Sequence, residues 1–310
     1  MAKRAKSPRD DRLDRATDLA GRAAIRLALL LPWGARVRLM GWLMRRVVAP
    51  LAGWRARARA NLAHVWPDLP EAERRRIADA AAENAGRTMI ENYDVAGLRA
   101  RVRGRPLEGA GLAAIEAAQA EGRPVLLVTG HFGNHEAPRA ALVERGHRVG
   151  GLYRPMANPH FNAHYAANMH ALSGPVFEQG RRGTMGLVRH LRAGGMGVLL
   201  FDTYAGAGAP IDFLGKPAPT LTSAAEIARK TGAELIPFFG IRGPDGLSFR
   251  IVFEAPVPHG DPLEMTREMS ARLEARVRET PEQWFWIHRR WKPERQARRQ
   301  RRRAAASTGP

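Results

Sequence analysis

The chain reads as an α/β protein, and two observations carry that reading. Short apolar runs recur along it, at 125–129, 147–154, 196–201, 233–242 and 247–257, each with the length and residue types of a strand. Between them lie stretches of helical composition, at 107–122, 184–194, 223–232 and 262–279. Strand patterns alternating with helical ones predict strand–helix–strand units laid on one sheet. At 310 residues the chain is long enough to bury a full core without covalent staples.

The stretch 123–137, RPVLLVTGHFGNHEA, organises the rest. Its first half is continuously apolar with β-branched residues, the pattern of a strand covered on both faces of a parallel sheet. Gly130 and Gly133 permit a tight turn, and Asn134 is suited to cap the helix that follows. His131 therefore falls at the carboxyl end of a strand, where open α/β sheets place their ligand crevices.

A histidine delivered there is a candidate general base. Its partner is expected to be a carboxylate that accepts the other ring N–H and stabilises the imidazolium. Glu136, five residues on, meets that need if the turn folds the helix start back over His131. With no Ser or Cys in the turn, the acceptor's own hydroxyl is the expected nucleophile. Two other readings compete: polar residues of an ordinary loop, and a metal held by His131, His135 and Glu136. The glycines oppose the second, because an H-x-x-x-H pair faces one ion only from a helix. No metal and no cofactor are expected.

The stretch HFGNHE resembles the H-x4-(D/E) signature of the lysophospholipid acyltransferase superfamily. Its surroundings are similar to the branch that adds secondary, lauroyl- or myristoyl-type, acyl chains to lipid A. The similarity rests on ARANLAHVWPDLPEAERRRIA (58–78), LYRPMANPHFN (152–162), GRRGTMGLVRHLRAGGMGVLLFD (180–202), DFLGKPAPTLTSAAEIARKTGAELIPFFGIR (212–242) and PEQWFWIHRRWK (281–292). It implies a three-layer acyltransferase-like domain with a mixed central sheet, preceded by N-terminal interfacial helices. It also implies transfer of a fatty acyl chain from acyl carrier protein, or another thioester, to a hydroxyl of a lipid A precursor. The place would be the cytoplasmic face of the inner membrane, with His131 as base and Glu136 orienting it. The alternatives are acylation of another lysophospholipid or glycolipid, or a catalytically idle basic protein that binds membrane or nucleic acid.

The net charge of +20 and pI near 11.5 call for an acidic partner. No nucleic-acid fold motif and no interleaving of aromatic with basic residues is present, so nucleic acid is not expected. The resemblance supplies two acidic partners, a phosphorylated glycolipid acceptor and acyl carrier protein. Zero cysteines exclude disulfides and thiolate chemistry.

Further site candidates lie at other element ends. Arg154 directly follows the strand pattern HRVGGLYR and is placed to hold phosphate or a developing oxyanion. Arg181 and Arg182 sit in a glycine-flanked turn that opens a helix, where free N–H groups favour anions. Asp202 ends the strand 196–201 and matches an acidic position of the resembled family, suited to orient the acceptor or an arginine. The resemblance would also place an arginine on the helix after HRVGGLYR, but that stretch reads HFNAHYAANMHAL, which moves weight to Arg154, Arg181 and Arg182. The Gly- and Pro-rich loop up to Pro219, carrying Phe213, Leu214 and Gly215, is expected to be a lid or tunnel wall.

Four segments are expected. Residues 1–18 form a mobile basic tail without a signal-peptide pattern. Residues 19–104 form a membrane-associated helical region, in which 19–54 is too interrupted by arginines to span a bilayer and is broken at Pro32 and Pro50. Trp33, Trp42 and Trp54 there suit the headgroup boundary. The acyltransferase domain covers 105–292, with Trp284, Trp286 and Trp291 as core aromatics, and 293–310 is a disordered basic tail.

Overall fold

A computed structural model describes residues 8–292. The expected tail beyond residue 292 lies outside them, as do residues 1–7. Helix α1 spans Pro8–Leu29, so the expected mobile tail is helical from residue 8 onward. It is docked on the domain: His160 Nε2 lies 2.8 Å from Asp11 Oδ1, and Asn158 Nδ2 donates to the Asp14 carbonyl at 2.7 Å.

Pro32 precedes α2 (Trp33–Leu43), as expected for a residue with no N–H to place inside a helix. Pro50 does not break the chain. A π-helical turn, Met44–Val48, runs straight into α3 (Ala49–Leu51), and Pro50 sits where the wide turn narrows again. That change of hydrogen-bond spacing leaves an amide without a helical partner, so a proline is tolerated there. Helices α4 (Trp54–Val65), α5 (Glu71–Tyr93) and α6 (Val95–Val102) complete the N-terminal region.

The sheet begins with β1 (Leu107–Glu108), and α7 (Gly111–Ala120) leads to β2 (Val125–Thr129). Then follow α8 (Glu136–Glu144), β3 (Val149–Tyr153), α9 (Pro159–Leu172), β4 (Val176–Glu178), α10 (Arg181–Arg192) and β5 (Met196–Leu200). A two-stranded hairpin, β6 (Ala209–Phe213) and β7 (Lys216–Thr220), is followed by α11 (Ser223–Thr231), β8 (Glu234–Arg242), β9 (Phe249–Phe253) and α12 (Pro262–Glu279). The seven-stranded order is β1-β9-β8-β2-β5-β3-β4, all neighbours parallel except β8 with β9. The sheet is thus mixed, with β2 at its centre.

Alternation along the strands sorts the helices into two layers. Val125 and Leu127 pack with Ile25, Trp33, Val37, Ile115 and Leu172, from α1, α2, α7 and α9. Leu126 and Val128 pack with Leu187, Leu191, Ala225 and Met269, from α10, α11 and α12. A third cluster, holding Phe132, Phe213, Leu273, Trp284, Trp286 and Trp291, includes the first turn residue beyond His131.

The segment expected as a lid or tunnel wall is not an irregular loop but the β6–β7 hairpin, turned by Leu214 and Gly215 at φ 54° and 74°, with Phe213 and Leu214 buried. The expectation for the tryptophans changes. Trp33 is buried and Trp54 packs inward, because both face α5 or the sheet; among the three tryptophans only Trp42 is exposed. The outward apolar residues of this region are mainly leucines, led by Leu30 at 80% and Leu51 at 85% exposure. No helix of the described residues is long and apolar enough to cross a membrane.

Candidate active site

The β2 strand delivers the turn, and Gly130 lets another chain segment close on it. A Cβ at Gly130 would lie 2.6 Å from Leu273 Cδ2 and 2.9 Å from Asp202 Oδ2. Gly133 has φ 54°, and a Cβ there would lie 2.0 Å from the Gly240 carbonyl, so both constraints demand glycine. Asn134 Oδ1 accepts from Glu136 N at 2.9 Å and Ala137 N at 3.2 Å and so caps α8, as its residue type led one to expect.

The turn rests on a buried polar network. Glu91, fully buried on α5, accepts from both terminal nitrogens of Arg242 at 2.6 and 2.7 Å and from Asn134 Nδ2 at 2.9 Å. Thr88 Oγ1 and Asn84 Nδ2 donate to the Gly133 carbonyl. The N-terminal helical region thereby holds the His131 turn in place, and a buried charge pair with this many hydrogen bonds specifies one geometry.

Asp202 supplies the contact that His131 needs. Strands β2 and β5 run parallel with Thr129 opposite Leu200, so His131 and Asp202, each two residues further on, come side by side. His131 Nδ1 lies 2.7 Å from Asp202 Oδ1, and the His131 backbone N–H donates to Oδ2 at 2.8 Å. Trp284 Nε1 also donates to Oδ2, at 2.9 Å. Burial raises the carboxyl pKa, but the charge and two hydrogen bonds of His131, with His288 adding, outweigh it and hold Asp202 ionised, well below the usual carboxylate range. A carboxylate only accepts, so the proton of the ring sits on Nδ1 and leaves Nε2 as the basic nitrogen.

Glu136 is not the residue that orients His131 in this structure. Capped at Asn134, α8 begins directly at Glu136, and its carboxylate runs up the helix to Arg139 NH1 at 3.1 Å. Arg139 is buried, its other nitrogens donate to the Val149 and Ser173 carbonyls, and Glu136 neutralises its charge. His135 Nε2 stands 4.0 Å from Glu136, and burial pushes this imidazole down to about 4, with Glu136 opposing.

A residue not singled out from sequence completes the cluster. His288, within the quoted stretch WFWIHRRWK, stacks edge-on against His131 with ring centroids 4.3 Å apart. Its Nε2 is buried without a hydrogen-bond partner. Burial first, then His131, push its pKa down to about 3, so it is neutral at physiological pH. The only sequence signal was its place between core tryptophans and arginines.

The other candidates are placed as follows. Arg154 is exposed one residue beyond β3, at the carboxyl end of that strand, and its charge adds to the lowering of His288. Arg181 and Arg182 are exposed at the start of α10, beyond the edge strand β4, and the structure does not bring them to His131. Backbone N–H groups near Gly133, expected to help an oxyanion, are engaged: Gly133 N donates to the Gln283 carbonyl and Asn134 N to the Gly240 carbonyl.

Among the described residues His131, Asp202 and His288 are the group whose donor atoms, all within 4.8 Å, suit a metal ion. Both Asp202 oxygens are already engaged by N–H donors, which fits an orienting carboxylate better than a metal ligand.

A histidine held by a buried carboxylate at the carboxyl end of an α/β sheet has the arrangement of an oriented general base. The chain belongs to the bacterial lipid A biosynthesis acyltransferases, whose family sequence model matches residues 4–293, and it is an O-acyltransferase. It is 26% identical over 264 residues to a lipid A biosynthesis acyltransferase of Haemophilus influenzae (strain ATCC 51907 / DSM 11121 / KW20 / Rd), covering 84% of this chain and 83% of that one. It is 29% identical over 240 residues to the lipid A biosynthesis lauroyltransferase of Escherichia coli (strain K12), covering 75% and 77%.

Proposed function

We propose that this protein moves a fatty acyl chain from the thioester of acyl carrier protein to a hydroxyl of a phosphorylated lipid A precursor at the cytoplasmic face of the inner membrane. The observation that carries the mechanism is the 2.7 Å contact between His131 Nδ1 and the buried Asp202. It fixes the tautomer in which Nε2 removes the proton of the attacking hydroxyl. The hydroxyl oxygen then bonds to the thioester carbonyl carbon, and the tetrahedral oxyanion forms beside Arg154 and the neutral His288. Collapse breaks the carbon–sulfur bond, and the leaving thiolate takes the proton from His131.

An unactivated alcohol has a pKa far above neutrality, so the base contributes about 10²–10⁴ in rate. Glu136 has a positioning role in this scheme, as the counter-charge of Arg139. Arg181 and Arg182 stand apart from the reacting atoms and suit the acceptor's phosphate or another anionic partner. The exposed leucines of α1–α3 lie in the headgroup boundary, with nearby arginines toward anionic lipids.

The test is acyl transfer by purified protein from acyl-loaded carrier to a lipid A precursor, with the product read by mass spectrometry. His131→Ala, shown by circular dichroism to be folded, should lose at least a hundredfold in kcat. Near-wild-type kcat in that variant would remove the base from the mechanism.

A further inference from the structure

Many of the arginines in this chain are tied to carboxylates, as Arg55 is to Asp79 and Arg276 is to Glu254. One face is different. On α10, Arg181, Met185, Arg189 and Arg192 recur at i, i+4, i+8 and i+11, which gathers them in one stripe opposite the buried Leu187 and Leu191. The helix has no acidic residue, and Met185 stands 51% exposed in the middle of the stripe. Helix α11 packs against α10 and adds the exposed Arg229 and Lys230. None of these cations makes an ion pair among the described residues, and the one carboxylate of α11, Glu226, is engaged by Thr222 Oγ1 at 2.6 Å.

The layers decide what kind of anion this face meets. The exposed leucines belong to α1–α3, and α1 and α2 pack on the side of the sheet served by Val125 and Leu127. Helices α10 and α11 cover the opposite side, served by Leu126 and Val128. With the leucine face on a bilayer, the arginine stripe points away from it, toward the aqueous side. The start of α10 nevertheless lies at the carboxyl end of β4, three strand spacings of about 4.8 Å from β2 and its histidine.

We propose that the α10–α11 face docks an acidic helix of the protein that carries the acyl thioester, with carboxylates on the arginines and an apolar side chain on Met185. This rests on the reading that the donor is protein-borne. Docked there, the carrier reaches the site from the β4 edge, on the side away from the membrane, and its flexible thioester arm spans the remaining distance. Exposed charges of this kind act mainly on encounter and are screened by salt, so they set the apparent affinity for the carrier rather than the chemical step.

The experiment compares the full-length wild type with Arg189→Glu/Arg192→Glu/Lys230→Glu, using two donors of one chain length: the acyl carrier protein thioester and the uncharged N-acetylcysteamine thioester. The KM for the carrier should rise at least tenfold with kcat within about twofold, and kinetics with the small donor should stay unchanged. The neutral Arg189→Gln/Arg192→Gln/Lys230→Gln variant, safer for folding at a helix end, should fall between. In high salt the wild type should lose its advantage. An unchanged KM for the carrier in the reversed variant overturns the docking face. So does loss of binding to anionic phosphatidylglycerol vesicles with carrier kinetics intact, which would assign the stripe to lipid. Wild-type enzyme that accepts the small thioester and never the carrier would instead sink the donor reading itself.

Discussion

Asp202 holds His131 at two points, with Oδ1 2.7 Å from the ring Nδ1 and Oδ2 accepting the backbone N–H at 2.8 Å. The carboxylate thereby sets both the tautomer of the ring and the path of the turn that carries it. Asp202→Asn keeps the size but removes the charge that stabilises the imidazolium, and kcat should fall by about 10²–10⁴ with KM little changed. Glu136→Gln should leave kcat within roughly tenfold and instead lower stability on the order of 3 kcal/mol, because buried Arg139 loses its counter-charge. Steady-state kinetics beside thermal melts separate the two. Equal kcat losses would show that both carboxylates serve the base.

Two strongly depressed histidines make stability pH-dependent. His135 and His288 titrate near 4 and 3 in the folded protein, against 6.5 in an unfolded chain. Between those values the unfolded chain binds more protons, so stability is at its plateau above about 6.5 and is lost as pH falls toward 3. Urea midpoints should hold from pH 8 to about 6.5 and then decline toward pH 4, and His288→Gln should flatten that decline. A flat profile in the wild type would mean these rings are solvated.

Glu91 and Arg242 join the N-terminal helices to the His131 turn through a buried bidentate pair. Glu91→Gln leaves a guanidinium without its counter-charge and should cost about 3–5 kcal/mol. The melting temperature should drop by roughly 5–8 °C. Arg242→Met combined with Glu91→Leu should recover part of that loss, since it buries no unpaired charge.

The leucine face should govern bilayer binding. Leu30→Glu with Leu51→Glu should reduce sedimentation with anionic vesicles at least tenfold while leaving melts unchanged, because both side chains face outward. Deleting residues 1–54 is a different experiment. It removes Val37, Trp33, Met44 and Ala49 from the core and should yield no folded protein, so a soluble, folded product would contradict the packing of α2 on α5.

How much of this was legible beforehand follows from the range of the interactions. The β2 strand, its glycine turn, the Asn134 cap and the position of His131 at a strand end are local matters, written in apolar runs, glycines and one Asx residue over fifteen positions. The helix 262–279 and the burial of Trp284, Trp286 and Trp291 were equally readable from composition. Pro50 and the Gly/Pro-rich loop misled because local breakers were absorbed, one by a π-turn and the other by a hairpin whose aromatic side chain found the tryptophan cluster.

The partner of His131 was a different kind of question. Sequence proximity favoured Glu136, but the cap that starts α8 sends that carboxylate along the helix to Arg139. Asp202, 71 residues away, arrives because two parallel strands pair with Thr129 opposite Leu200. His288 and Glu91 come from still other segments and meet the same turn. By itself the sequence determined the elements and the candidate base, since those depend on neighbours along the chain. Only the tertiary structure decided which carboxylate orients that base and which face of α10 stays unpaired, because strand register and layer packing are set by hydrophobic burial across the whole sheet.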